Sequence, residues 1–320
     1  MKVAITGSIA YDYIMTYPGE FKEMLLADSL DHISVSFLVD EMTRHRGGVA
    51  ANIAYTLALL GERPLLVGTA GIDFTEYRDA LEKIGVDTSG ARIIDGLFTS
   101  SFFANTDRNN NQIASFYSGA MTKARDLSIK DVCRDPIDFV IVSPNDPRAM
   151  HNYVLETREM KSKLVYDPSQ QIARSDGSVL EECLDGAFLL VVNEYEHTAI
   201  CSKTGLSRQQ VLSRVENMIV TRGRDGADIY TPEGSYFVPI VPTEQIVDPT
   251  GVGDAFRAGL LKGLMNGWPW DVSGQLGSLA AAYALEQKGS QNHTFTRAEF
   301  ARRFRQHFDD KGLLDTFFPS

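Results

Sequence analysis

Short β-rich apolar runs alternate with helix-period segments along most of this chain, and that alternation constrains the fold more than any other feature. Runs at residues 3–9, 64–68, 137–143, 164–166, 187–192 and 218–221 are too short for helices. They are also too continuously apolar for strands with one wet face, and suit strands covered on both sides. Between them, residues 48–60, 74–84, 147–161, 178–184, 194–203 and 208–215 carry helical spacing. The first two of these stop at Gly61 and Gly85, the residue type that closes a helix in the left-handed conformation. Strands that alternate with helices in this way build βαβ units, so the expected fold is α/β: a mostly parallel central sheet flanked by helices.

Two stretches break the rhythm. Residues 13–40, with a β-rich run at 33–39, and residues 98–121 offer strand-like patterns without intervening helices. In the second, FTSSFFANT and QIASFY flank DRNNN, a turn-rich linker that reads as a hairpin. The expectation is one large α/β body over 1–320 with a small β-sheet lid built from these insertions. The last third is helical in pattern at 251–266, 271–286 and 296–307, where Thr296 and Glu299 form a T-x-x-E capping box.

Composition narrows the partners. With 42 Asp+Glu against 31 Lys+Arg the formal net charge is −11, which disfavours nucleic acid, whose backbone demands a basic face. Hydrophobic residues at 43% and charged residues at 23% exclude a disordered or collagen-like chain. Cys133, Cys183 and Cys201 are odd in number and far apart, which reads as three reduced thiols. No run of eighteen apolar residues is present and the first residues lack a signal-peptide pattern, so no membrane partner and a cytoplasmic location are expected.

The sharpest chemical signal is Asp248-Pro-Thr-Gly-Val-Gly-Asp-Ala-Phe256, leading into a long amphipathic segment. Glycines where a chain enters a helix let consecutive N–H groups turn toward one point at the positive end of the helix dipole, which makes an anion hole. A carboxylate there, Asp254, would repel an anion unless it has work to do, and removing a hydroxyl proton next to a transferring phosphoryl group is such work. The same residues also suit an ordinary helix start with an N-terminal acid. A GxxxxGK[ST] loop, a GxGxxG turn after a strand and the protein-kinase motif set are all missing, so a phosphate-handling chain of this kind needs another architecture.

DPTGVGDAF resembles the carboxy-terminal signature of the ribokinase-like (PfkB) carbohydrate kinases, and RHRGGVAANIAYTLALLG at 44–61 resembles their amino-terminal glycine-pair signature. The resemblance extends from Ile5 to about Phe308. GSIAYDYIM, SFLVDEM, NNNQIASFYSGAM and DPSQQ at 167–171 look most like the bacterial adenosine kinases within that family.

The resemblance implies roles residue by residue. Asp254 matches the base that activates the acceptor hydroxyl, with Gly251, Val252 and Gly253 supplying anion-hole N–H groups. Asp12 matches the carboxylate that grips ribose hydroxyls, a fit for two donors at fixed spacing. Ser8, Gly47, Gly48 and Asn52 fall along the sugar, while Phe102, Phe116 and Gln171 bear on the acceptor's base. Asn193 and Glu196 match the family's N-x-x-E, which organises Mg²⁺-bound water and nucleotide phosphates. Thr221, Gly223 and Gly226 match the stretch along ATP, and Asp248 and Thr250 fall where relatives hold a monovalent cation such as K⁺. Two positions depart from the pattern: Val252 stands where Ala or Cys is usual, and Ala51 replaces a frequent glycine. Neither removes a catalytic group. The implied activity is ATP- and Mg²⁺-dependent phosphorylation of a ribonucleoside 5′-hydroxyl, adenosine first, with a sugar kinase or a non-catalytic nucleoside-binding regulator as alternatives. An exposed lid edge favours a homodimer.

Overall fold

Successive side chains of the central strands enter two different cores, which is why those strands read as unbroken apolar runs. The computed structural model describes residues 1–24 and 34–317. Its strands are β1 (Val3–Thr6), β2 (Ala10–Thr16), β3 (Glu41–Gly47), β4 (Leu65–Ala70), β5 (Asp87–Ile93), β6 (Ser100–Thr106), β7 (Gln112–Tyr117), β8 (Phe139–Val142), β9 (Lys163–Tyr166), β10 (Leu189–Asn193), β11 (Asn217–Thr221), β12 (Ala227–Thr231) and β13 (Gly234–Val238). Ile5, Ile141, Val165, Val191 and Ile219 pack on one face, against the helices Val49–Leu59, Thr75–Ile84 and Val252–Met265. Ala4, Val140, Leu164, Leu190 and Met218 pack on the other, against the helices Pro147–Glu159, Gly177–Leu184 and Arg208–Arg214. A third core joins the helices Trp270–Leu285 and Arg297–His307.

Among the described residues the large sheet has nine strands in the order β13-β12-β11-β10-β9-β8-β1-β4-β5. The seven from β11 to β5 run parallel, and β12 and β13 add an antiparallel edge. This is the expected α/β architecture, a mostly parallel sheet with a small second sheet beside it. The chain leaves β1 toward β4 on one side and returns to β8 on the other. Ligands of open α/β sheets bind beyond the carboxyl ends of the strands at such a switch point.

The small sheet has the order β3-β2-β6-β7. The hairpin expected around DRNNN joins β6 to β7, and Asp107 holds its turn by accepting hydrogen bonds from the Asn109 and Asn111 N–H groups, each at 2.9 Å. The strand expected at 33–39 does not form: Ile33 lies outside the described residues, and 34–39 has no regular secondary structure. Its apolar residue Phe37 instead packs edge-on against Tyr17 and Phe21, with centroids 5.1 and 4.9 Å away. The strand in this region is β3, whose charged sequence EMTRHRG suits a sheet edge and hides the alternation that marks a buried strand. The single run expected at 3–9 is likewise divided, since the chain leaves the large sheet after Thr6 and enters the small one at Ala10.

The helix that carries Asp254 lies closely against Trp270–Leu285 because small residues face each other. A Cβ on Gly259 would come within 2.4 Å of the Leu276 carbonyl oxygen, and one on Gly263 within 2.3 Å of Ser273 Oγ. Gly259→Ala should therefore lower the denaturant midpoint at an unchanged m-value. The added methyl gains about 1 kcal/mol of helix propensity but meets backbone, and overpacking costs about 1–3 kcal/mol. A raised midpoint in equilibrium unfolding would contradict this packing account.

Candidate active site

Because β1, β8, β9, β10 and β11 are parallel, the segments that follow them emerge at one edge of the sheet. Those segments carry Ser8, Asn145, Asp167 to Gln171, Asn193 to Glu196, and Thr221 to Gly226. The amino end of Val252–Met265 comes to the same edge, since Arg257 in its second turn pairs with Asp167 after β9.

Gly251 caps that helix with φ 78°, a left-handed conformation open to glycine, and a Cβ there would sit 2.5 Å from Ser290 Cβ. The first N–H groups of a helix lack intrahelical partners. Gly251, Val252 and Gly253 thus stand together at a positive helix end, with Val252 N held only by a 3.4 Å bond to the Pro249 carbonyl. Asp254 follows, buried in the first turn. Its Oδ2 accepts a hydrogen bond from Asn52 Nδ2 at 2.8 Å, and Arg257 Nη1 lies 3.7 Å from its Oδ1. Burial pushes the Asp254 carboxyl upward, against the pull of Arg257 and the Asn52 hydrogen bond.

The small sheet supplies the opposite wall. Asp12 on β2 pairs with His45 on β3 and with Phe102 on β6, which in turn pairs with Phe116 on β7. Directly paired residues share a face, so Asp12, Phe102 and Phe116 form one row. Phe102 is half-buried and Phe116 is 49% exposed. Desolvation first, then the charges of Asp248 and Asp254, raise Asp12 to about 6. Gly47 lies close beside it, and a Cβ there would sit 2.5 Å from Asp12 Oδ2, so a side chain at 47 would push the carboxylate aside. Gly48, at φ 94°, would drive a Cβ to 2.5 Å from the Ser8 carbonyl oxygen. Ser8 itself spends its hydroxyl on the helix behind, accepting from Val49 N at 2.9 Å.

Asn193 and Glu196 form a reciprocal capping box: Asn193 Oδ1 accepts from Glu196 N, and Glu196 Oε2 accepts from Asn193 N, both at 2.8 Å. Glu196 Oε1 keeps only a 3.3 Å contact with Ser169 Oγ, so one carboxylate oxygen stays open to hold a water. Among the described residues no three His, Cys, Asp or Glu side chains are grouped to hold a metal ion. The single open oxygen of Glu196 fits a water of a Mg²⁺ whose other ligands would come from phosphates and solvent, which is how that ion usually binds. Thr221 ends β11, and Gly223 and Gly226 frame the turn into β12 with φ 54° and 86°. Asp248 accepts from Thr250 N at 2.9 Å and from Gly289 N at 2.8 Å. Burial works upward on its carboxyl, but these bonds outweigh it and hold it below the usual range.

Several site residues carried no sequence signal of their own. Asn52 Oδ1 accepts from Ser290 Oγ at 3.0 Å and from Gln291 Nε2 at 2.8 Å, while Gln291 also donates to Tyr77 Oη. Those contacts turn the Asn52 amide so that its NH₂ meets Asp254. A Ser-Gln pair in a polar loop gives nothing to find it by. Arg257 did leave a trace, because a residue three places after Asp254 shares its helix face. Gln171 is buried with its Oε1 unpartnered, and Ser169 before it adopts φ 41°, a strained value for a non-glycine residue.

Residues 2–297 match the model of the pfkB family of carbohydrate kinases. The chain belongs to that family. A nucleoside kinase of Methanocaldococcus jannaschii is 26% identical to this pfkB-family chain over 309 residues, which span 96% of it and 97% of the relative. The solved nucleoside kinase of Burkholderia thailandensis, ligand-free, matches with a TM-score of 0.86 at 38% identity, over 94% of this chain and 99% of that one. The same enzyme in complex with ADP-inosine matches at 0.83 and 38% identity, over 96% of each chain.

Asp12 yields a pH prediction for this pfkB-family fold. Its folded value of about 6 lies above its ordinary 3.8, so the stability it contributes is complete below about 4 and lost as pH rises through 6. Asp12→Asn should melt above wild type at pH 7.5, with the gap narrowing at pH 5. Parallel melting curves at the two pH values would contradict the assignment.

Proposed function

We propose that this protein is an ATP- and Mg²⁺-dependent kinase that phosphorylates the 5′-hydroxyl of a ribonucleoside, adenosine first. The observation that carries the reading is the row Asp12–Phe102–Phe116 on one face of the small sheet, at the edge where Asp254 begins its helix. A carboxylate suits the ribose diol, and aromatic rings on the next two strands suit a flat base, which a free sugar would not use. Gln171 Oε1, buried without a partner, calls for a donor, and a purine edge offers an N–H or amino group. The names of the B. thailandensis and M. jannaschii relatives favour a nucleoside over a sugar.

In this reading Asp12 and Asn52 position the ribose with Ser8, Gly47 and Gly48 behind it, and the small sheet closes as a lid. Asp254 takes the 5′-hydroxyl proton as that oxygen bonds the γ-phosphorus and the bridging oxygen to the β-phosphate departs with ADP. The N–H groups of Gly251, Val252 and Gly253 face the transferring group, so positioning and charge stabilisation carry most of the rate. Mg²⁺ bound with the nucleotide would neutralise phosphate charge, Glu196 holding one of its waters with Asn193 beside it. Thr221, Gly223 and Gly226 run along the nucleotide, and Asp248 and Thr250 supply oxygens for K⁺. Among the described residues the small sheet ends at β3 and β7, and these edges make a homodimer through the lid the expected assembly.

Asp254→Asn should lower kcat by about 10²–10⁴ while calorimetric nucleoside affinity stays within severalfold. An ADP-release screen over adenosine, inosine, guanosine, cytidine, ribose and fructose, with and without K⁺, tests the acceptor. Turnover on free sugars and none on nucleosides would reverse the choice, and nucleoside binding without ADP production would point to a regulator.

A further inference from the structure

We propose that Arg257 is a positioning residue for the reaction: its guanidinium, clamped by Asp167, keeps the Asp254 carboxylate ionised and turned toward the acceptor hydroxyl. The inference rests on the reading of Asp254 as the base.

Asp167, the first residue after β9, is wholly buried, and the Arg257 side chain is only 11% exposed. Arg257 Nε lies 2.7 Å from Asp167 Oδ2, and Nη2 donates to Oδ1 at 2.8 Å. One hydrogen bond from Nη2 and a close ion-pair contact at Nε, which makes no hydrogen bond, hold the guanidinium against Asp167. The third nitrogen, Nη1, is thereby aimed at Asp254 Oδ1, 3.7 Å away. It also lies against the phosphoryl-facing turn, since a Cβ on Gly253 would come 2.8 Å from it. Asn52 donates to the other oxygen of Asp254 at 2.8 Å, so the base carries a hydrogen bond at one oxygen and faces the Arg257 charge at the other.

The surrounding charges show why a cation is needed there. Asp12 from β2 and Asp167 from the loop after β9 are close enough to feel Asp254, and Glu196, from the helix Glu194–Thr204, bears on Asp167 and Arg257. Asn52 is neutral. Among the described residues Arg257 is the cation whose charge reaches Asp254. Without it the base would stand buried among carboxylates, and its proton would leave only at higher pH. Stability is a weak account of the pair, because buried ion pairs seldom outdo apolar replacements of similar size.

The test is the acid limb of the kcat/KM–pH profile, read by ADP release with ATP and the best nucleoside of the screen, for wild type, Arg257→Lys, Arg257→Gln and the double variant Asp167→Asn/Arg257→Gln. An opposite charge this close lowers a carboxylate by about 1–3 units, so loss of Arg257 should move the acid limb up by about one pH unit. On the acid side of the limb kcat/KM should fall by up to about tenfold, returning to the wild-type level on the alkaline side, and Arg257→Lys should keep the limb near that of wild type. The double variant removes both charges; because Arg257 is the charge that bears on Asp254 most, the limb should still move up, by less than in Arg257→Gln, even if Arg257→Gln alone unfolds around an unpaired Asp167. A folded double variant whose loss is the same at every pH overturns the inference. Asp254→Asn, measured beside it, separates the two layers: normal turnover there overturns the base and the inference together. A dead Asp254→Asn with an unmoved limb in the double variant overturns Arg257 alone.

Discussion

A carboxylate buried at the start of a helix depends on everything around it, and Asp254 is the constraint on which this site is built. Desolvation disfavours its charge, so each neighbouring element contributes something that restores it. The helix Val49–Leu59 brings Asn52, the loop after Trp270–Leu285 brings Ser290 and Gln291 to orient Asn52, and β9 brings Asp167 to fix Arg257. Residues some 200 positions apart therefore meet around one side chain. The close helix packing at Gly259 and Gly263 holds the helix that carries it against Trp270–Leu285.

The same arrangement accounts for an acidic protein with a site for anions. The net charge of −11 is a property of the whole surface, whereas the potential at the site is set locally. Glycine N–H groups, a helix end and one buried guanidinium sit together within the first two turns of Val252–Met265. Asp12 and Asp254, both counted among the acids, serve a neutral acceptor in the proposed reaction.

The strand–helix rhythm was legible because the central strands are buried on both faces and their helices close with left-handed glycines at Gly61 and Gly85. The edge strands were harder. β3 carries Glu41, Arg44, His45 and Arg46, and an edge strand with a wet face has no apolar run to betray it. The run at 33–39 looked more like a strand, yet its Phe37 is used in an aromatic cluster with Tyr17 and Phe21. Local composition measures how apolar a segment is, and pairing depends on which neighbour lies alongside.

By itself the sequence determined the α/β class, the hairpin around Asp107, the glycine-lined helix start and the candidate base within it. These are local properties: periodicity, turn chemistry and the geometry of a helix end act over a few residues. Tertiary structure alone decided that Asn52 spends its amide on Asp254, that Ser8 caps a helix, and that Arg257 answers to Asp167. Hydrogen bonds and charges act through space over a few ångströms, and the distance along the chain does not record which groups will come that close.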